Sequence, residues 1–294
     1  MTSSGIKRRL SLSKPKRYII IMRVAFDKLR QRFPPASGYN HPMQIEIRQQ
    51  LLTLNRQFYQ TFGDAFAHTR RRIQPGIHRL LAETIPPHGS WLDLGCGSGA
   101  LGLEWIRHNR TGSYTGLDFS PVLLAEARRA VAPHLPAPGL EVQYVQADLG
   151  DPGWTESLPQ AQFDGLLAFA ALHHIPGSQA RLALLKQVRS LLPAGGLFIH
   201  SEWQFMNSPR WQKRILPWSK VDLSDADLDP GDTLLDWRHS LPGQMEQVGL
   251  RYVHHFTRTE LTELAASSGF TIHSEFESDG KEGNLGLYQV WQAV

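Results

Sequence analysis

The 294-residue chain is 41% hydrophobic and 20% charged, a composition able to bury a sizeable core. Its N-terminal apolar run, Ile19-Ile20-Ile21-Met22 beside Tyr18, is too short for a membrane span of roughly 20 residues. It is also too short for a secretory signal, and the single cysteine, Cys96, excludes an internal disulfide, as expected of a cytoplasmic protein.

The formal net charge of +4 is unevenly spread, because residues 1–32 hold ten basic residues and one acid. The rest of the chain carries a net −5, so the basicity belongs to a tail and not to the folded body. Residues 1–42 are expected to be a disordered basic tail, closed by Pro34-Pro35-Ala36-Ser37-Gly38. The same composition also suits a basic arm, an organelle transit peptide, or an upstream start with Met22 or Met43 as alternatives. Residues 43–294 form one domain.

A helix is predicted from Gln44 to about Phe62, stopped by Gly63, and a second over Pro75–Glu83. Ser90–Leu94 is a buried strand ended by glycines, followed by a helix over Leu101–Asn109. Ser113–Asp118 is a second strand, and Ser120 caps a helix over Pro121–Val131. Glu141–Gln146 and Phe163–Ala168 are strands, Gln179–Leu192 a helix, and Gly196–Trp203 a fifth strand. Residues 204–256, rich in Trp, Pro and Asp, break the rhythm and are expected to form a lid. A helix over Thr259–Ser268 and strands over Thr271–Glu277 and Gly286–Trp291 close the chain, the last two as a hairpin. Such alternation implies an α/β protein with a mostly parallel sheet covered on both faces.

The decisive stretch is Leu92-Asp93-Leu94-Gly95-Cys96-Gly97-Ser98-Gly99, where the first strand turns into a helix. Glycines there permit positive φ and close approach of a ligand. The Gly95, Gly97 and Ala100 spacing also meets the loose dinucleotide fingerprint. Three acids argue otherwise. Asp93 can face a cationic amino-acid head group, Asp118 can accept both hydroxyls of a ribose, and Asp148 can hold an adenine amino group. Three carboxylates at successive strand ends suit a nucleoside without phosphate, whereas a pyrophosphate would be repelled.

With these motifs the chain resembles the class I, type 11 S-adenosylmethionine-dependent methyltransferases over roughly residues 44–203 and 257–292. Phe163-Asp164-Gly165 with Ala168–His174 resembles the family's fourth-strand motif, and Leu191–Gly196 its turn before the fifth strand. The resemblance implies a Rossmann-like, doubly wound sheet of seven strands with a C-terminal antiparallel hairpin. It implies S-adenosyl-L-methionine as cofactor, held by Asp93, Gly95, Cys96, Gly97, Gly99, Asp118, Phe119, Asp148, Leu149 and Ala168. Phe66–Arg70, His173-His174-Ile175 and Arg251–Phe256 resemble one subfamily more narrowly, the tRNA methyltransferases that esterify wobble carboxymethyluridine. That subfamily often acts with a small zinc-binding partner protein, which the resemblance alone suggests.

Acceptor residues are expected among Arg70, His173, His174, Arg251 and Tyr252. A carboxylate acceptor needs a cation, Arg70 or Arg251, and no base; a hydroxyl or amine acceptor needs His173 or His174. Trp203, Trp211, Trp218 and Trp237 are candidates to line the acceptor pocket. No metal site is expected. Asp225-x-Asp227-x-Asp229 has Pro230 where a calcium loop needs glycine, and the aspartates of residues 222–236 read as a solvated loop. A small-molecule methyltransferase, a nicotinamide-dependent oxidoreductase and a non-catalytic RNA-binding module remain open alternatives.

Overall fold

A computed structural model describes residues 43–69, 72–239 and 246–294, without the side chains of residues 64, 66–69 and 239. The basic tail, 1–42, lies outside the described residues, as do residues 70, 71 and 240–245.

Helix α1 (Ile45–Thr69) runs through Gly63 instead of ending there. Burial of Leu51, Leu54, Phe58, Tyr59 and Phe62 along one face outweighs the roughly 1 kcal/mol that a mid-helix glycine costs. Helix α2 (Pro75–Glu83) begins at its proline, as expected, and buries Ile77, Leu80 and Leu81. The alternating part follows as β1 (His88–Leu94), α3 (Ala100–Arg107), β2 (Thr111–Asp118), α4 (Pro121–Val131) and β3 (Leu140–Gln146). It continues with β4 (Gly165–Phe169), α5 (Ser178–Ser190) and β5 (Leu197–Trp203). The Ser120 hydroxyl accepts from the backbone N–H of Leu123 and caps α4 at the expected residue.

Between β5 and the closing elements stand the short α6 (Pro209–Gln212), β6 (Ile215–Leu216), β7 (Asp232–His239) and β8 (Gln247–His254). Helix α7 (Arg258–Ser268) and the hairpin β9 (Phe270–Ser278) and β10 (Gly286–Ala293) end the chain. The main sheet has seven strands in the order β3-β2-β1-β4-β5-β10-β9. The first five are mutually parallel, and β10 runs antiparallel to both β5 and β9. Two apolar clusters cover it, one containing Leu184, Val188, Leu261 and Ala265, the other Ile77, Leu80, Leu101 and Trp105. This is the doubly wound architecture expected from the resemblance.

Residues 204–256, expected as a lid, hold a second sheet, β6-β7-β8, which sequence periodicity did not show. The reason lies in its two buried faces. Leu234 packs with Leu51, Leu54 and Trp218, whereas its neighbour Leu235 packs with Phe205 and Val253. A strand buried on both sides loses the polar–apolar alternation that marks a half-exposed one. Gly249 of β8 lies where a Cβ would come 2.8 Å from Phe58 and 2.7 Å from Phe62, so α1 lies directly across the strand.

The acidic stretch is not uniformly solvated. The Asp232 side chain is fully buried, accepting from the Tyr252 hydroxyl at 2.8 Å and lying 2.7 Å from His254 Nδ1. Asp229 pairs with buried Arg181 of α5 at 3.0 Å, and Asp236 is buried against Arg214 and Arg238. Buried carboxylates persist only when paired; the Asp229–Arg181 pair fastens this segment to α5, and the others hold it together internally. Asp225 fits the expectation and is exposed.

Candidate functional site

The carboxyl ends of β1, β2, β4 and β5 open into a cavity of about 480 Å³, roofed by α1 and by Arg251 of the lid. That volume lies within the roughly 300–1,000 Å³ of small-molecule sites. The glycine loop forms one wall. The backbone N–H groups of Gly95 and Cys96 both donate to the Leu117 carbonyl, at 2.8 and 2.9 Å, fastening the loop to the end of β2. Gly97 has φ +56, and a Cβ there would meet nothing within 4 Å, so the loop's inner surface is open to a ligand. Gly99 serves a different purpose: it sits at φ +77, and a Cβ there would come 2.7 Å from Ala127 Cβ, so its absence lets α3 pack close to α4.

The three acids expected at strand ends all line the cavity. Asp93 is buried and accepts a 2.5 Å hydrogen bond from the Tyr114 hydroxyl. Burial pushes its pKa up to about 7, opposed by the Tyr114 hydrogen bond and helped by the nearby Asp118 charge. Asp118 accepts from the backbone N–H groups of Gly97 and Ser120, at 3.0 and 2.9 Å. Burial raises it to about 6, against the lowering effect of those two N–H groups. Asp148 meets Arg56 of α1 at 2.7 Å and accepts from the Gly150 N–H at 2.8 Å. Burial with the Asp118 and Asp93 charges pushes the Cys96 thiol well up, so this cysteine is a small loop residue and no reactive thiolate.

Phe119 and Leu149 also line the cavity, but Ala168 is sealed in the sheet core and the wall begins one residue later, at Phe169. His173 and His174 sit together with ring centroids 4.4 Å apart. His174 Nε2 lies 2.9 Å from the Tyr59 hydroxyl, which ties it to α1. Arg251 is 2% exposed yet lines the cavity, its guanidinium 4.9 Å from the Trp203 ring and 5.6 Å from the Phe58 ring. Tyr252, its neighbour, points the other way, because alternate residues of β8 face opposite sides. The Tyr252 hydroxyl donates to Asp232, and its backbone N–H donates to Asn55. Arg70 lies outside the described residues. Of the four tryptophans expected at the acceptor pocket, Trp203 and Trp211 line the cavity, while Trp218 and Trp237 pack against α1.

Sequence reasoning missed Asn55, Arg56 and Tyr59, which α1 brings over the cavity, and Glu202 at the end of β5. A signal existed for Glu202. It is an acid inside Leu197–Trp203, a strand buried on both faces, where a titratable residue needs a reason.

A family model described as a methyltransferase domain matches residues 66–275. A tRNA (carboxymethyluridine(34)-5-O)-methyltransferase from Schizosaccharomyces pombe is 25% identical over 242 residues, covering 78% of this chain and 92% of that protein. A probable tRNA methyltransferase 9B from Bos taurus is 23% identical over 195 residues, 65% of this chain, which spans only 37% of that relative's length. An S-adenosylmethionine-dependent methyltransferase structure from Clostridium acetobutylicum shares the fold at a TM-score of 0.56 and 12% identity, over 80% of this chain and 98% of the other. The open glycine loop with acids at successive strand ends fits that nucleoside cofactor. The chain therefore belongs to the methyltransferase-domain family.

Proposed function

We propose that the protein transfers the methyl group to an oxygen of a carboxylate acceptor, with the carboxymethyl group of a tRNA wobble uridine as the leading candidate. The carrying observation is Arg251, a guanidinium buried beside Trp203 in the cavity wall. Arg251 lines the cavity, and the planar fork of a guanidinium matches a carboxylate. The fission yeast relative's name supports the substrate class. Among the described residues no helix is long and apolar enough to cross a membrane, and a cytoplasmic site of action goes with this reading.

In this reading Asp93, Asp118 and Asp148 hold the cofactor with Gly95 and Gly97, Phe119 and Leu149 flank it, and it supplies an electrophilic methyl carbon. Arg251 positions the acceptor, and α1 with Trp203 and Trp211 excludes water. A carboxylate is already a nucleophile, so His173 and His174 shape the wall and remove no proton. The test is nucleoside mass spectrometry of tRNA from a deletion strain, with transfer assays on that tRNA and on small carboxylic acids. Accumulated wobble carboxymethyluridine, methylated by the pure protein, supports the proposal. Normal tRNA esters together with turnover of a small acid would make it a small-molecule enzyme, and turnover of hydroxyl or amine acceptors alone would overturn it.

The raised acids give this reading a pH signature. Asp93 and Asp118 bind protons more tightly folded than unfolded, so their contribution to the stability of the free protein is lost as pH rises from about 4 to about 7. A cationic head group and ribose hydroxyls favour the ionised forms, so cofactor affinity should move oppositely. Calorimetry is expected to show affinity rising at least roughly tenfold between pH 5 and 7, while the melting temperature of the free protein declines. Flat affinity over that range would remove Asp93 and Asp118 from the binding role.

A further inference from the structure

Glu202 is 1% exposed at the carboxyl end of β5, where it lines the cavity. Its Oε1 lies 3.0 Å from His200 Nδ1. Its Oε2 has no hydrogen-bond partner among the described residues; His173 Nδ1, at 3.7 Å, is beyond reach. A polar atom left this way in a buried wall costs about 1–3 kcal/mol unless something else meets it. We propose that Glu202 is an acceptor-contacting residue, presenting an O–H donor from Oε2 to the oxygen-bearing group that Arg251 attracts. This rests on the oxygen-acceptor reading above.

The hydrogen belongs on Oε2 for three reasons. First, among the described residues no cation lies within hydrogen-bond reach of Oε2, His173 Nδ1 being 3.7 Å away. Burial drives the His200 imidazole down to about 3, so it stays neutral, and Arg181 is already paired with Asp229 and Glu260. Burial and the Glu260 charge together push the Glu202 carboxyl well up, against the weaker pull of Arg181. Second, His200 Nε2 is buried without a partner, and its ring is packed between Phe198 and Trp291 at 5.0 and 4.6 Å. Orphaned buried N–H groups are rarer than orphaned acceptors, which assigns the ring hydrogen to Nδ1, donating to Oε1. Third, with Oε1 accepting, the acid hydrogen is left on Oε2.

A neutral acid at this place does what a carboxylate would prevent. An ionised Glu202 would repel an anionic acceptor; the acid instead donates to one of its oxygens while Arg251 neutralises the charge. The donor hydrogen stays on Glu202 throughout, since esterification consumes the acceptor's own negative charge and releases no proton. The new C–O bond forms as the methyl–sulfur bond breaks. The product ester is uncharged and loses its attraction to Arg251, which favours release.

Infrared difference spectra of wild type against Glu202→Gln at pH 7, in S-adenosylhomocysteine, test this directly. A protonated carboxyl band that shifts down when 5-carboxymethyluridine nucleoside is added is the expected result. In parallel, Glu202→Ala should weaken that nucleoside's binding roughly 10- to 100-fold, and Glu202→Gln, whose amide also donates, should recover most of the loss. An absent acid band, a band unmoved by bound nucleoside, or a glutamine variant as poor as alanine each overturns the assignment. Should the nucleoside fail to bind wild type, the carboxymethyluridine reading falls, and an ionised Glu202 at pH 7 still overturns this inference whatever the acceptor.

Discussion

Replacing Gly97 by valine is expected to remove measurable cofactor binding, to beyond roughly a hundredfold above the wild-type Kd. Gly97 sits at φ +56, a region a β-branched residue enters only with strain on the order of 1–3 kcal/mol. The larger effect is occupancy. No protein atom lies within 4 Å of a Cβ built there, so the added side chain takes space open to the ligand. This separates the loss from misfolding: the melting temperature of free Gly97→Val should fall only by the strain. A milder companion is Asp118→Asn, which keeps an oxygen for only one of the two backbone N–H groups, of Gly97 and Ser120, that the two Asp118 oxygens accept from, and loses the charge offered to a ribose. It should weaken binding about 10- to 100-fold, with a smaller fall in melting temperature from the N–H group left unmet. Wild-type affinity in Gly97→Val by isothermal calorimetry would show that the ligand does not lie against this loop.

The second large effect is expected at Arg251. Arg251→Met keeps length and apolar packing against Trp203 and Phe58 while deleting the charge. With carboxymethyluridine-containing tRNA as acceptor, KM should rise about 30- to 1000-fold, the equivalent of roughly 2–4 kcal/mol. Cofactor Kd should stay within about twofold, because the carboxylates at β1, β2 and β3 are untouched. His173→Ala and His174→Ala should change turnover far less, since no proton has to leave. The reverse pattern, with inactive histidine variants and an active methionine variant, would point to a hydroxyl or amine acceptor.

Where local chemistry decided structure, the sequence was readable. The glycine loop, the Ser120 cap and the Pro75 start lie where turn and capping rules put them, because those rules depend on neighbours along the chain. Three things were not readable, each for a long-range reason. Gly63 is helical because α1 packs on β8, a contact between residues far apart. Strand β7 hid its period because α1 covers one face and Phe205 the other. Asp232 and Asp236 looked solvated among their acidic neighbours, and only the fold supplies Tyr252, His254, Arg214 and Arg238 to bury them. The site divided the same way. Cofactor-side residues follow one motif, whereas Tyr252 and Arg251 were separable only by strand parity, and β8 itself was unread.

Helix α1 places two consecutive residues on different business. Asn55 binds the Tyr252 backbone and lies 3.4 Å from His174 on the acceptor side, while Arg56 pairs with Asp148 on the nucleoside side. A rigid helical turn joins them, so a displacement at one is felt at the other. With both ligands bound as proposed, any free energy of interaction passed through this turn is reciprocal: the factor by which spent cofactor alters acceptor affinity is the factor by which acceptor alters retention of spent cofactor. Loosening the Arg56–Asp148 pair, as added salt does for a half-exposed ion pair, should weaken that communication in both directions at once.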